Sequence, residues 1–329
     1  MPRVATITQP TLNPLLAWRE MRIDGFEQLR SVTPTSTSEI VQTEAGPMRG
    51  RLKYATISGL SLGFGRFSRG LISRGIYSDE RVTIGFLLRN RRVRSNLCEI
   101  DSVRIWSPGA EHQRSYDHGA SFGAISVEVA DLVRFFGPHN RWGDPSAWTA
   151  KNSFRTDFRT GENAVRALQS IMSSFERAPA KISQAEAEYW KRAILEAASL
   201  TIVDSETCDV FVSSPRRLVM RAQEYVEKSG SAPVHISELL SALSVSRRSL
   251  HRAFDEVLGI PPMTYLRQRR LCEARILLKE GARQGITIAE VAFNRGFSDV
   301  GRFSGYYRVL FGEKPSDTLR TARTVKTWL

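Results

Sequence analysis

The fold is decided by a pattern that occurs twice near the C-terminus. The first copy contains Ser246-Arg-Arg-Ser-Leu-His-Arg-Ala-Phe254, and the second contains Gly296-Phe-Ser-Asp-Val-Gly-Arg-Phe-Ser304, in which Ser298 corresponds to Ser246. Landmarks around both segments keep the same order: Ile236, Glu238, Leu250, Gly259 and Pro262 in the first copy, and Ile288, Glu290, Phe303, Gly312 and Pro315 in the second. The offset is 52 residues up to a shared serine and 53 after it. Apolar residues at helical spacing in both copies predict two similar helix-turn-helix units.

The second helix of the first copy is predicted to present a basic face to solvent. Ser246 is the expected N-cap, because its hydroxyl can accept a hydrogen bond from a free amide of the first turn. The residues expected to face the core are Leu250, Phe254, Val257 and Leu258. An α-helix fits the major groove of DNA, where arginine can bond guanine. The candidate DNA contacts are Ser246, Arg247, Arg248, Ser249, His251 and Arg252, and Asp255 also points outward.

The second copy departs from this pattern because Gly301 and Gly305 lie inside its second helix. Each glycine costs about 1 kcal/mol of helix propensity relative to alanine. Two interpretations remain open. Either this copy contacts fewer bases or mainly the DNA backbone, or the glycines let the helix approach DNA closely. Ser298 is the expected N-cap, and the candidate contacts are Ser298, Asp299, Val300, Arg302, Tyr306 and Arg308.

A helix over residues 263–279 is predicted to join the two units, with Pro261 and Pro262 at its start. At about 1.5 Å per residue it extends roughly 25 Å, the scale needed to place two helices in successive major grooves. Arg269 and Arg270 allow two readings, a bond to a neighbouring helix or a direct phosphate contact.

These segments, together with Arg269-Arg-Leu-Cys-Glu-Ala-Arg-Ile-Leu277 and Phe311-Gly-Glu-Lys-Pro315, resemble the AraC/XylS family of bacterial transcription regulators. The resemblance covers residues 216–322. It implies seven helices, two helix-turn-helix units on one long helix, and a variable N-terminal domain that binds an effector or mediates dimerisation.

Charge and composition favour the same partner, double-stranded DNA. Residues 215–329 hold 20 Lys and Arg against 11 Asp and Glu, which is +9 of the chain's +13. A basic domain gains affinity for duplex DNA by releasing counterions. No segment reaches the length of a membrane span, no secretory signal is evident, and three isolated cysteines suit a reducing cytoplasm.

Residues 1–150 are predicted to form a β-rich sensing domain, so the fold class is α+β and multidomain. Short runs at 52–57, 82–88, 103–106 and 124–129 are rich in branched and aromatic residues and are separated by turns. This spacing suggests a compact barrel or sandwich, and the arrangement resembles the cupin-like domain of many regulators of this family.

A small barrel leaves room for one ligand, here an unknown small-molecule effector. The candidate effector contacts are Phe64, Arg66, Phe67, Phe86 and Trp106, with Tyr77 and Arg104 as further options. His112 and His118 lack the spacing of a metal site, so neither a metal nor another cofactor is expected. Gly59-Leu-Ser-Leu-Gly63 matches the pattern of an esterase nucleophile elbow but lacks its strand and helix, so a turn between strands is expected.

A helical pair over 151–203, a linker over 204–215 and the DNA-binding domain over 216–329 complete the predicted organisation. One apolar stripe runs from Val165 to Phe175 and another from Trp190 to Thr201. The stripes either form a homodimer contact or pack against their own barrel.

The sequence predicts a non-enzymatic, effector-responsive activator that binds promoter DNA and acts on RNA polymerase. The alternative is a DNA-binding module fused to a catalytic N-terminal domain, as in alkyl-transfer repair proteins. Such proteins need a reactive cysteine in a supporting context, which neither Cys98 nor Cys208 shows.

Overall fold

The computed structural model describes residues 15–31, 37–89, 103–149, 152–155, 158–178, 182–203, 206–209, 213–230 and 234–324. These residues form a β-rich N-terminal region followed by a helical C-terminal region, which confirms the predicted α+β class. Within these ranges, no helix is both long and apolar enough to cross a membrane.

Two antiparallel sheets form the N-terminal region. Their strands, in chain order, are β1 (Leu16–Ile23), β2 (Thr37–Gln42), β3 (Gly50–Ile57), β4 (Leu60–Phe67), β5 (Leu71–Ile76), β6 (Arg81–Arg89), β7 (Val103–Trp106), β8 (Glu111–Tyr116) and β9 (Ser121–Glu128). The larger sheet has the order β1-β3-β4-β9-β6-β7 and the smaller sheet the order β2-β5-β8. Residues of both sheets line one cavity, so the region is a sandwich with a hollow interior.

The predicted strands at 52–57, 82–88 and 103–106 are confirmed by β3, β6 and β7. The fourth, 124–129, extends one residue too far, because a helix begins at Val129. The turn expected at residues 59–63 is shorter than predicted. Ser58 and Gly59, with φ of 42° and 79°, form a two-residue hairpin turn, and Ser61 already lies in β4. A strand residue cannot form the strand-to-helix elbow of an esterase.

Three helices cover the other face of the larger sheet: α1 (Val129–Phe136), α2 (Phe158–Phe175) and α3 (Gln184–Val203). Both predicted apolar stripes belong to this layer, since Leu168 and Phe175 of α2 and Ala198 of α3 are buried against the sheet. The stripes therefore pack against their own domain. Lys191 of α3 is buried with them, where it pairs with Asp131 at 2.8 Å and donates to the Ser58 carbonyl at 3.0 Å.

The segment predicted as the linker contains a short strand. β10 (Asn152–Arg155) pairs antiparallel with β11 (Glu206–Asp209), and α4 already begins at Ser214. Both strands are short and mostly polar, Asn-Ser-Phe-Arg and Glu-Thr-Cys-Asp, so they lack the run of branched and aromatic residues by which a strand is recognised in a sequence. This ladder ties residues 206–209 back to the N-terminal region.

The C-terminal region contains seven α-helices within the described residues, the number that the family resemblance implies. They are α4 (Ser214–Lys228), α5 (Ile236–Leu243), α6 (Arg247–Leu258), α7 (Pro262–Glu280), α8 (Ile288–Asn294), α9 (Val300–Phe311) and α10 (Pro315–Thr324). The predicted joining helix is α7, whose 19 residues extend roughly 28 Å. The core of the C-terminal region contains Leu250 and Phe254 of α6 and Phe303 and Tyr307 of α9, all of them buried.

The smaller sheet contacts the C-terminal region with its outer face. Arg269 of α7 pairs with Glu39 of β2, and Arg74 of β5 pairs with Glu227 of α4. Arg270 donates to the Gly296 carbonyl at 3.2 Å, so Arg269 and Arg270 both bond protein groups. The partners lie in strand β2 and in the turn before α9, whereas the first of the two readings placed them on a neighbouring helix.

A buried charge cluster lies at the same boundary. Arg275 of α7 is 8% exposed at its side chain and pairs with Glu27 at 3.1 Å and with Glu313 at 2.6 Å. Lys279 also pairs with Glu27. Burial favours a raised pKa for Glu27, but the charges of Arg275 and Lys279 outweigh it and hold the pKa below its usual value. The glutamate is therefore ionised and joins the N-terminal region to α7.

Candidate nucleic-acid interface

The first helix-turn-helix unit consists of α5 and α6. His235 and Glu238 form a capping box at the start of α5. The Ser246 hydroxyl accepts a hydrogen bond from the Ser249 amide at 3.1 Å, which confirms Ser246 as the N-cap of α6. Leu250 and Phe254 are buried, so the helix is held in the core by the face that the sequence predicts.

The opposite face of α6 is exposed along its length. All of its candidate contacts are exposed: Ser246, Arg247, Arg248, Ser249, His251 and Arg252, as well as Asp255. Three arginines and a histidine on one side of a helix form a basic, hydrogen-bonding surface of the kind that fits the major groove. Their contact with DNA stays a prediction.

The second unit, α8 and α9, starts its second helix one residue later than predicted. The N-cap of α9 is Asp299, whose carboxylate accepts from the Arg302 amide at 2.9 Å, so the prediction of Ser298 as N-cap is wrong. The extra residue of this copy lies in the turn before the helix, which explains the change of offset from 52 to 53. A carboxylate at this position also interacts favourably with the helix dipole.

The exposed face of α9 is less basic than that of α6. Ser298, Asp299, Arg302, Tyr306 and Arg308 are exposed, and Val300 is half-buried. Arg302 lies 4.0 Å from Asp299, so part of its charge is offset locally. Among the described residues, no carboxylate lies within ion-pair distance of Arg247, Arg248 or Arg252, so the unpaired exposed arginines concentrate on α6.

Arg267 of α7 belongs to the same surface and was missed by the sequence reasoning. Its guanidinium lies 4.6 Å from the centre of the Tyr306 ring, and both residues line a groove between α7 and α9. The sequence signal was present, because Arg267 stands three residues before Arg270 on one helix face. Neither residue could be assigned to the groove before the packing of α7 against α9 was known.

Gly305 offers a test of the two interpretations of α9. A Cβ at this position would meet no atom within 4 Å, so Gly305→Ala should raise the free energy of unfolding by up to about 1 kcal/mol, measured by urea denaturation. Weaker DNA binding by the stabilised variant would support close approach of the helix, and unchanged binding would support a backbone grip. Gly285→Ala is the matched control. Its φ of 77° disfavours a side chain, so this variant should lose stability.

The structure divides the candidate effector contacts between the two faces of the larger sheet. Phe67 and Trp106, with Tyr77, line the cavity. Phe64 and Phe86 pack on the helical side, and Arg66 is exposed. Side chains alternate along a strand, so Phe64 and Phe67 cannot share a face. Arg104 is not among the described residues that line the cavity.

The two histidines lie apart and have different environments. His112 lines the cavity, with Nε2 3.3 Å from the Ser73 hydroxyl. His118 pairs with Glu44 at 3.3 Å outside it. Of the cysteines in the alternative hypothesis, Cys98 lies outside the described residues and Cys208 lies in β11.

Two helix-turn-helix units joined by one helix, each with an exposed second helix, define a double helix-turn-helix domain. Residues 239–321 match a family model described as a helix-turn-helix domain. The chain is 34% identical over 103 residues to the XylDLEGF operon transcriptional activator of Pseudomonas putida, covering 31% of this chain and 32% of that protein. It is 38% identical over 106 residues to the "Probable thc operon regulatory protein" of Rhodococcus erythropolis, covering 32% and 31%.

One solved structure is also similar in sequence. The chain is 37% identical to "a probable AraC family transcriptional regulator" from Rhodopseudomonas palustris, with 32% of this chain and 98% of that chain covered and a TM-score of 0.31. The chain thus spans about a third of the length of the curated relatives named above. Through its C-terminal domain it belongs to the AraC/XylS family.

Proposed function

We propose that this chain is a sequence-specific, DNA-binding transcription regulator that acts as an effector-responsive activator. The observation that carries the proposal is the pair of exposed helices, α6 and α9, held by the single helix α7. Helices joined in this way can enter adjacent major grooves of one duplex. The relatives named as transcriptional activators support this function for the C-terminal domain.

The N-terminal region serves in this proposal as a cupin-like sensing domain and not as an enzyme. A hollow sandwich that contacts α7 can respond to a ligand in its interior, provided that the ligand binds the active and inactive arrangements differently. The protein would act in the cytoplasm, where its promoter DNA and RNA polymerase are found. The competing proposal, a catalytic N-terminal domain, would require turnover of the molecule that the cavity binds.

A homodimer would use a surface other than the two buried stripes. Tyr189, Leu200 and Val203 of α3 are exposed, at 64%, 53% and 44% of their surfaces. Large exposed apolar residues on the outer side of one helix are typical of protein contacts. This face is the one that we assign to self-association.

Selection of bound sequences from random duplex DNA by the full chain tests the proposed function. We expect enriched sequences to contain two conserved blocks about one helical turn apart, roughly 10 base pairs between centres. The longer and more conserved block should correspond to α6. Recovery of no common sequence at low salt, by folded protein that still binds DNA, would contradict sequence-specific regulation.

A further inference from the structure

The last turn of α9 receives hydrogen bonds from the N-terminal region. The final carbonyls of an α-helix have no partner within the helix itself. Here the Gly46 amide donates to the carbonyls of Val309 and Leu310 at 3.2 and 3.0 Å. The side-chain amide of Gln42, which is 1% exposed, donates to the Leu310 carbonyl at 2.8 Å and to two carbonyls of its own turn. The turn after β2 therefore caps the C-terminal end of α9.

The same turn lies close to the helix that joins the two units. The backbone amide of Gln42 donates to the sulfur of Cys272 on α7 at 3.3 Å. A Cβ at Gly312, the residue that follows α9, would come within 2.7 Å of the Pro47 ring, so only a glycine leaves room for the turn. Residues 39–48, here called the β2 segment, therefore contact α7 and α9 together.

A chain of alternating charges connects the β2 segment to the turn before α9. Glu39 pairs with Arg269 of α7, and Arg269 lies 3.5 Å from Glu273 on the next turn of the same helix. The second carboxylate oxygen of Glu273 lies 3.1 Å from Arg295, the residue that follows α8. All four side chains are less than a third exposed, so solvent ions screen these pairs less than pairs at the surface. The N-terminal end of α9 is thus linked to β2 as well.

Apolar packing joins the same two parts of the molecule. Phe26 of the N-terminal region and Phe311 of α9 are 0% and 4% exposed, and their rings stack with 6.0 Å between centres. Val41 and Met48 of the β2 segment are buried in the same core as Phe303 of α9. Protein interiors are close-packed and transmit strain. A displacement of the β2 segment is therefore passed on to α9.

The β2 segment does not cover the surface of α9 that would meet DNA. The exposed residues on that surface include Asp299, Arg302, Tyr306 and Arg308. The segment touches the helix at its C-terminal end and through α7, so it supports α9 without masking it. Within the described residues, the bonds made by Glu39, Gln42 and Gly46 end on α7 and α9, and none of them reaches α5 or α6.

We infer that the β2 segment positions α9 from both of its ends, so that the N-terminal region sets how the second unit fits DNA and leaves the first unit unaffected. Glu39, Gln42 and Gly46 are positioning residues, since they act on DNA through α9 and do not contact it. Ile40 of the same strand lines the cavity, so one strand connects the interior of the sandwich with the second unit. This inference rests on the proposed function, because it names the unit through which the N-terminal region regulates DNA binding.

Hydrogen exchange of the full chain without DNA, followed by mass spectrometry, tests the positioning directly. Gln42→Ala removes a donor from the last turn of α9, so the amides of α9 should exchange about 2- to 30-fold faster, the usual effect of a residue that couples two sites. The amides of α6 should exchange at the rate of the natural protein. Gln184→Ala is the matched control, because it removes the same amide from the exposed start of α3 and should change neither helix.

Fluorescence anisotropy with two duplexes tests the consequence for DNA binding. One duplex carries both selected sequence blocks, and the other carries the α6 block beside random sequence. Gln42→Ala and Glu39→Gln should each weaken binding to the first duplex about 2- to 30-fold and leave binding to the second unchanged. Glu196→Gln is the control for the loss of charge, because Glu196 forms an exposed pair with Arg192 on α3 and should bind both duplexes as the natural protein does.

Three results would overturn the inference: equally faster exchange in α6 and α9, which indicates a general loss of stability, natural exchange rates in both helices, or equal losses of affinity on the two duplexes. Circular dichroism verifies that each variant is folded, and Glu39→Gln, whose side chain keeps its shape, carries both measurements if Gln42→Ala does not fold. Failure of the proposed function is recognised separately, as a natural protein that prefers no DNA sequence. The exchange measurement needs no DNA and would still decide whether the β2 segment positions α9.

Discussion

Replacing Arg275 with alanine is expected to lower the free energy of unfolding by about 3–5 kcal/mol, the typical cost of leaving a buried charge without its partner. Arg275 bonds groups from three parts of the chain: Glu27 of the N-terminal region, Glu313 in the turn before α10, and the Tyr307 hydroxyl at 3.3 Å. Its guanidinium also lies 4.9 Å from the Phe311 ring centre. Arg275→Ala leaves the carboxylates of Glu27 and Glu313 without this cation, so the loss of stability exceeds that of removing one hydrogen bond.

Thermal and urea denaturation of the full chain measure this loss. Arg320→Ala is the control, because Arg320 forms an exposed pair with Asp317, and such pairs contribute only about 0–1 kcal/mol. Glu27→Gln in the Arg275→Ala background should recover part of the stability, since a neutral amide needs no counter-charge. A loss for Arg275→Ala no larger than that of Arg320→Ala would show that the cluster is solvated in solution.

Replacing Arg248 or His251 with alanine is expected to weaken binding to a selected DNA site by about 5- to 150-fold, the equivalent of 1–3 kcal/mol for a good base contact. Both side chains are exposed on the outer face of α6, one turn apart. Binding to random DNA should fall much less, because contacts with bases specify the sequence whereas contacts with phosphates position the protein.

Fluorescence anisotropy with the selected site and with random duplex, at several salt concentrations, separates these effects. Arg192→Ala on α3 removes one charge from an exposed side chain outside the C-terminal domain, so it should leave the ratio of specific to random binding unchanged. Equal losses on both DNAs for Arg248→Ala and His251→Ala would show that these residues contact only the backbone.

The helical domain could be predicted closely because its signals are local. Apolar spacing, the Ser246 cap and the paired prolines at the start of α7 each act within a few residues of the chain. The error at Ser298 arose where two caps compete: Ser298 and Asp299 are adjacent, and only the path of the preceding turn decides which of them starts the helix.

The N-terminal cavity could be predicted only in part, because its lining depends on pairing between distant strands. Phe67 and Trp106 come from β4 and β7, which share a sheet without being neighbours. His112 and Arg114 come from the smaller sheet, and no motif in the sequence around them indicates that they line a cavity. The ion pair between Glu39 and Arg269 joins residues 230 positions apart, so no local rule could identify it.

The smaller sheet lies between the cavity and the C-terminal helices and contacts both. Ser73 faces the cavity whereas its neighbour Arg74 holds Glu227 of α4, and Ile40 faces the cavity whereas Glu39 holds Arg269 of α7. Any coupling across this wall must act equally in both directions, since equilibrium binding steps form a closed thermodynamic cycle. If a guest in the sandwich alters affinity for an operator by some factor, the operator alters retention of the guest by that same factor. Protein bound to its operator would then release the ligand at a different ligand concentration from protein that is free in solution.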